Sequence, residues 1–506
     1  MTDRRRYWAW AAGAGAAAGL LRLASLNLFL DRDEGEYATL AWLWRSGAGV
    51  PYRDYLEQKP PLSVGMNALA QALSSDGVFG LRCLSWIWGV ATVVALYALV
   101  EAMARRGRMG WRLQRDIRLR TALAGCGAFV AAALLSDART QSLAANTETW
   151  QTLPLLGALA LLFLPEPRDL KPRNYVGAGV LIGVAALFKQ TAGFAVFLLP
   201  LACQERKGRL LPSVAWTVLG ALAPWAGAWE IFHLNGAGLD FLQCLLVYDR
   251  AYALQSWVGA AGRAVGLGMY LAPLLAPLGW LAFLGWRALG RDRGSRAWLG
   301  AWLGVGFCGA AAAGRYYPHY VIPLLAPLAL LGVLGVAGLK TAAPGWSKRR
   351  APRALRWVLA AAFALSYLLI DGPLWTAPSG RERTWTVYHV RSFVQAPLAA
   401  ERLRQRCPEE EKLFVWGNEA ELFYLAQRRP ATRFLFVYPF TGEAPVWPGG
   451  EDELLNGLMG PGTGAAAVSQ PLDPSDPLQR EVTAGLRAQY DADSSIHAFI
   501  LGVRRK

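Results

Sequence analysis

The chain has 506 residues, of which 54% are hydrophobic and only 17% charged, with 22 Trp and a mean hydropathy of +0.24. Soluble domains carry roughly 25% charged residues, so this composition excludes intrinsic disorder and a collagen-like repeat and argues against a water-soluble enzyme. The formal net charge of +16 raises nucleic acid as a partner until the charge is placed along the chain.

Hydropathy divides the sequence near residue 370. Before it, apolar runs alternate with short polar connectors, the pattern of a polytopic helical membrane protein. The expected spans are 7–30, 81–101, 121–136, 149–165, 174–188, 191–203, 210–232, 267–289, 297–313, 318–339 and 355–370. The first opens on MTDRRR, but its apolar run is too long for a cleaved signal peptide and leads straight into charge. Its small residues, AAGAGAAAGLL, suit close helix packing. Arg22 sits near the outer half of that span, where it either snorkels outward or faces a site. The stretch 60–73 is too short to cross a roughly 30 Å core and is expected to lie along the outer face.

Basic connectors stay on the inner side. That side therefore takes the N-terminus with Arg4, Arg5 and Arg6, the arginine-rich 101–120, and the connectors around 166–174, 204–209, 287–296 and 340–356. Together these segments carry +19, so the excess basicity reads as membrane topology, and no nucleic-acid partner is expected. An odd number of spans leaves 371–506 outside, which gives a transmembrane module over 1–370 and an extracytoplasmic domain over 371–506. The tail reads as a small α/β domain. Strands are expected at 411–417, 433–438 and 496–503, a helix opened by Asn418 at 418–427, and a loop with one short helix near 451–458 across 441–479. Cys83, Cys126, Cys203 and Cys308 fall in apolar runs, so there is no disulfide framework; whether Cys244 and Cys407 meet stays open.

Ionisable residues outside the basic connectors concentrate in the first outer segment, 30–62. Asp31 and Glu34 have the spacing of a capping box. Helical spacing places Asp33, Glu36, Tyr37 and Leu40 on or near one face. Glu57 and Lys59 follow a Gly-rich aromatic turn and precede Pro60 and Pro61. Carboxylates and a lysine held against a bilayer cost several kcal/mol unless they are paired or used. No GxxxxGK[ST] loop, GxSxG elbow or zinc-ligand spacing occurs.

Asp33-Glu34-Gly35-Glu36-Tyr37 followed by Glu57-Gln58-Lys59-Pro60-Pro61 resembles the integral-membrane glycosyltransferases of the GT-C fold. The likeness is closest to the branch of protein O-mannosyltransferases and lipid A aminoarabinose transferases. Asn146-Thr147-Glu148, Phe188-Lys189-Gln190-Thr191, Gly314-Arg315-Tyr316-Tyr317-Pro318-His319-Tyr320 and the tail segment 414–434 extend the resemblance over most of the chain.

The resemblance implies transfer of a sugar from a polyprenyl-phosphate carrier to a lipid, glycan or protein acceptor at the outer face of the cytoplasmic membrane. It implies Asp33 as general base, with Glu34 and Glu148 orienting the acceptor or, where a divalent Mg or Mn is used, Asp33 and Glu148 holding it; no other cofactor is implied. Lys59, Lys189 and Arg315 are the expected cations for the donor phosphate, assisted by Tyr316 and His319, with Tyr37 and Glu57 beside them. Lys189 also reads as a plain helix C-terminal cation, and Arg315 as an interfacial anchor. The competing classes are a transporter or flippase, and a non-catalytic carrier-binding protein of the cell envelope. Transporters place their ionisable residues near the midplane, whereas here they sit at the outer ends of spans.

Overall fold

The computed structural model describes residues 3–107, 109, 111–203, 210–290, 292–338, 352–442 and 447–505. Arg108, Arg206, Lys207, Arg209, Arg291, Pro445 and the 340–351 part of the last basic run lie outside the described residues.

Each of the eleven expected spans contains a helix. Among the described residues, seven helices are long and apolar enough to cross a membrane: Asp3–Asn27, Gly77–Arg105, Ile117–Leu134, Leu210–Leu234, Ala260–Ala288, Pro318–Ala337 and Arg353–Thr376. The other four lie at Thr147–Phe163, Pro172–Phe188, Gln190–Cys203 and Arg293–Ala311, and are shorter or more polar. A helix of 17 residues is about 26 Å long, close to the thickness of a roughly 30 Å core. The 60–73 stretch is the 12-residue helix Leu62–Leu73, about 18 Å long and too short to span.

Contacts group the chain into two compact units that do not follow a cut at 370. The first joins Met1–Leu26, Arg82–Gly227 and Gly259–Thr376. Its helices close on small residues. Gly285 and Gly335 let the helices Ala260–Ala288 and Ile322–Ala337 meet backbone to backbone, and Gly15 and Gly19 seat the first helix on Val94 and Trp86. Arg22 is buried and turned inward, donating to the carbonyls of Leu135 and Ser142 and to Ser85 Oγ.

The second unit joins Asn27–Leu81, Ala228–Val258 and Ala377–Lys506. Its sheet has the order β1-β2-β4-β3, with β1 Lys412–Trp416, β2 Thr463–Val468, β3 Tyr490–Ile496 and β4 Phe499–Arg504. β1 and β2 are parallel; the β2–β4 and β4–β3 pairs are antiparallel. Residues 433–438 are not a strand, although 434–437 are buried. Their polar groups go elsewhere: the Arg433 carbonyl accepts from Leu56 N–H, and Val437 N–H donates to the Gly417 carbonyl and to Asn418 Oδ1. Asn418 thus ties that segment down rather than opening a helix, which runs Glu421–Ala426 from Ala420. The 441–479 stretch contains the expected short helix, Gly450–Met459, and also β2, which alanines do not signal. All six cysteines are free, Cys244 and Cys407 included.

The helix Arg32–Arg45 packs on the tail at Gly35. A Cβ there would lie 2.6 Å from Glu421 Cβ and 2.7 Å from its backbone nitrogen. Thr39 Oγ1 donates to the Ala420 carbonyl at 2.8 Å beside this contact. Gly35→Ala is expected to destabilise the protein by about 1–3 kcal/mol, the usual cost of overpacking. The check is thermal unfolding of the purified protein, where an unchanged midpoint would contradict the close contact.

Candidate functional site

The expected residues fall into two clusters, one inside each unit. In the second unit, the capping box closes as the spacing predicts: Glu34 N–H donates to Asp31 Oδ1 at 2.9 Å, and Asp31 N–H to Glu34 Oε2 at 3.0 Å. The box fixes the first turn of Arg32–Arg45 and with it the directions of Asp33 and Glu36. Glu34 is fully buried, with one carboxylate oxygen committed to the cap.

Lys59 Nζ lies 3.0 Å from Asp33 Oδ1, 2.9 Å from Glu36 Oε2 and 5.0 Å from the centre of the Tyr37 ring. Its backbone is held as well. Lys59 N–H donates to Glu57 Oε1 at 2.7 Å, and Tyr52 Oη donates to the Lys59 carbonyl at 2.9 Å. Tyr52 is buried edge-on against Phe232 and Phe241 and adopts φ of 73°, a strained conformation for a tyrosine. Two prolines then stiffen the chain. Lys59 is thus bonded to two carboxylates.

Exposure separates the acids. The Asp33 side chain is 31% accessible, whereas that of Glu36 is 4% accessible and Glu57 is fully buried. Burial raises the Glu36 carboxyl above the usual carboxylate range, with Lys59 pulling it down and Asp33 pushing it up. Burial raises Glu57 further, and the Glu36 charge adds to the rise. For Lys59, burial works to lower the pKa, but Asp33 and Glu36 outweigh it and hold the ammonium well above its ordinary range. Beside this group, Gln58 and Tyr438 exchange hydrogen bonds at 2.8 and 3.1 Å.

The raised carboxyls fix the sign of a pH dependence. A carboxyl whose pKa is higher folded than unfolded favours the fold fully below the unfolded value and loses that contribution as pH rises through the folded value. Glu57→Gln, which keeps an acceptor for Lys59 N–H, should therefore lose less thermal stability than the parent between mildly acidic and mildly alkaline pH. Parallel pH–melting curves check this; curves of equal slope would rule it out.

The second cluster lies in the first unit. Glu148, in the first turn of Thr147–Phe163, forms a buried ion pair with Lys189, the C-cap of Pro172–Phe188. Thr147 Oγ1 donates to the other Glu148 oxygen at 2.7 Å. Lys189 Nζ also sits 3.3 Å from the centre of the Tyr320 ring. His319 stacks on Tyr317 and is bonded through Nδ1 to Gln141 Oε1 at 3.0 Å. Tyr316 and Gln141 adopt φ of 55° and 54°. Two strained non-glycine residues beside one cluster are the kind of outlier that marks functional sites. Gly314 precedes Arg315 and its carbonyl accepts from Arg263 Nε at 3.0 Å.

Glu36, Gln141, Tyr320 and Tyr438 were not singled out as site residues from sequence. Glu36, on the Asp33 face, and Tyr320, at the end of the Gly314–Tyr320 motif, each left a signal there. The residues present do not fit a divalent metal. Asp33 and Glu148 are each occupied by a lysine ammonium, and no group of three or more His, Cys, Asp or Glu side chains is gathered for one among the described residues.

No family model matches the sequence, and no curated protein matches it. Solved structures do. The chain is similar to ArnT from Cupriavidus metallidurans bound to undecaprenyl phosphate, with a TM-score of 0.59, 15% identity and 98% coverage of both chains. The apo form of the same protein matches with a TM-score of 0.56, 16% identity and coverage of 98% of this chain and 97% of that one. The apo oligosaccharyltransferase of Archaeoglobus fulgidus matches with a TM-score of 0.52 and 14% identity, over 91% of this chain and 69% of that one.

Proposed function

We propose that this chain, which has the GT-C fold, is a membrane glycosyltransferase that moves a sugar from a polyprenyl-phosphate carrier to a hydroxyl acceptor. The reaction is placed at the outer face of the cytoplasmic membrane, with the N-terminus inside and the C-terminal α/β domain outside. The observation that carries the reading is the unequal exposure of the acids around Lys59. One carboxylate, Asp33, is accessible in a group whose other members are buried.

The acceptor hydroxyl gives its proton to the Asp33 carboxylate as its oxygen attacks the anomeric carbon. The bond from that carbon to the phosphate oxygen breaks on the opposite side, and the anomeric centre inverts. The leaving group is the polyprenyl phosphate, whose added negative charge needs fixed cations. By the family resemblance, Lys189 and Arg315 are the cations proposed to meet that charge, with Tyr316 and His319 as hydrogen-bonding partners. Lys59 keeps the Asp33 side chain in place. An undecaprenyl phosphate bound to a protein of the same fold supports the choice of carrier class.

The test is purified protein in liposomes with a labelled polyprenyl-phosphate sugar, alongside a comparison of lipid-linked glycans and envelope polymers with and without the gene. The expected result is a new glycosidic product and released carrier phosphate. Movement of labelled lipid across the bilayer with no such product would establish transport instead.

A further inference from the structure

A cavity of about 690 Å³ opens in the first unit, at the other end of the helix that carries Glu148. Leu164, on its wall, lies sixteen residues past Glu148, about 24 Å at 1.5 Å per residue. The wall is apolar along Leu99 of Gly77–Arg105 and along Leu153 and Leu156 of Thr147–Phe163. From Leu153 to Leu164 it runs about 16 Å, half of a roughly 30 Å hydrocarbon core. One leaflet's acyl chain has that reach.

The end of the cavity is charged. Arg120 and Glu101 are buried there as a pair, with Nε 2.8 Å from Oε1, and Arg120 Nη1 donates to the Gln114 carbonyl at 3.1 Å. Arg120 thus meets the charge of Glu101. Glu101 Oε2 also lies 3.9 Å from Arg105 Nε, so the lining sets three arginines, Arg4, Arg105 and Arg120, against two acids, Asp3 and Glu101, with Arg4 and Arg105 exposed. A free anion would leave the apolar wall uncovered, and a zwitterionic lipid would leave the arginine excess unmatched. The geometry points to a site for an anionic glycerophospholipid, with its phosphate between Arg4 and Arg105 and an acyl chain along Leu99, Leu153 and Leu156. This site is separate from both clusters described above and stands whether or not the chain transfers a sugar.

Native mass spectrometry of the full-length protein, offered phosphatidylglycerol or phosphatidylcholine of matched chains, tests it. Two arginines at a membrane surface should give phosphatidylglycerol a preference of roughly tenfold or more. Arg4→Gln with Arg105→Gln should cut that preference to about threefold or less. Ala98→Trp, which fills the cavity, should remove one tightly held phosphatidylglycerol per chain. Because both arginine changes are at exposed positions, they decide the matter even where Ala98→Trp fails to fold. Equal retention of the two lipids by the parent protein overturns the site, as does phosphatidylglycerol retention unchanged in the arginine variant. Displacement of the lipid by millimolar inorganic phosphate alone would show an anion site with no part for the chain.

Discussion

Asp33→Asn is expected to lower glycosyl transfer by about 10²–10⁴-fold, the usual contribution of a positioned general base, while expression and carrier binding stay near those of the parent. The ion pair it breaks is one-third exposed on the Asp33 side, and pairs of that kind contribute about 0–1 kcal/mol. Lys59 keeps Glu36 at 2.9 Å as a second partner in the variant. The fold therefore has little reason to fail. Glu36→Gln supplies the contrast, since it removes a buried partner of the same ammonium and should act mainly on stability. If Asp33 only balanced the charge of Lys59, the two variants would resemble each other, with melting temperature moving more than rate. Single-turnover rates and melting curves on both separate the readings. Full transfer activity in Asp33→Asn would defeat the assignment.

What could be read from the sequence follows from which forces act locally. Apolar runs placed in a bilayer must be helical because lipid offers backbone groups no partners, so a helix stands at each of the eleven expected positions, seven of them long and apolar enough to cross a membrane among the described residues. The capping box was visible for the same local reason, since its two partners lie three residues apart. The tail was harder. The burial of Phe434, Leu435, Phe436 and Val437 is the kind a strand would have, yet the backbone bonds at the two ends of this segment are irregular: the Arg433 carbonyl accepts from Leu56, hundreds of residues away in the chain, and Val437 N–H donates to Gly417 and Asn418. β2 failed in the opposite sense. Gly464, Ala465, Ala466 and Ala467 carry no strand preference, but small side chains let a strand sit inside the sheet between β1 and β4. In the site, sequence order brought out the right acids and lysines without their pairing. Lys59 meets acids 23 and 26 residues earlier, and Lys189 meets one 41 residues earlier. Gln141 and Tyr438 left no trace because a lone glutamine or tyrosine in a loop has no periodicity to betray it.

Lys189→Met should cost about 3–5 kcal/mol, because it leaves the Glu148 carboxylate buried without its cation. The Lys189 and Glu148 side chains are 14% and 2% accessible, so solvent cannot replace the lost partner. Thr147 remains bonded to Glu148 and offsets only part of that loss. Adding Glu148→Gln removes the orphaned charge, and the double variant is expected to regain most of the lost stability. Its activity, compared with that of Glu148→Gln alone, then distinguishes two roles for Lys189. As the C-cap of Pro172–Phe188 alone, the lysine would matter only through the ion pair and the helix dipole, and the double variant would recover transfer along with stability. As a cation for the donor phosphate, it is irreplaceable by a neutral side chain. The double variant would then be folded but slow, with KM for the carrier-linked sugar raised and the added defect in kcat that follows from losing stabilisation of the departing phosphate. Lys189→Arg refines the result. It restores the charge, but its planar fork does not reproduce the compact ammonium over the Tyr320 ring, so stability should return further than kcat does.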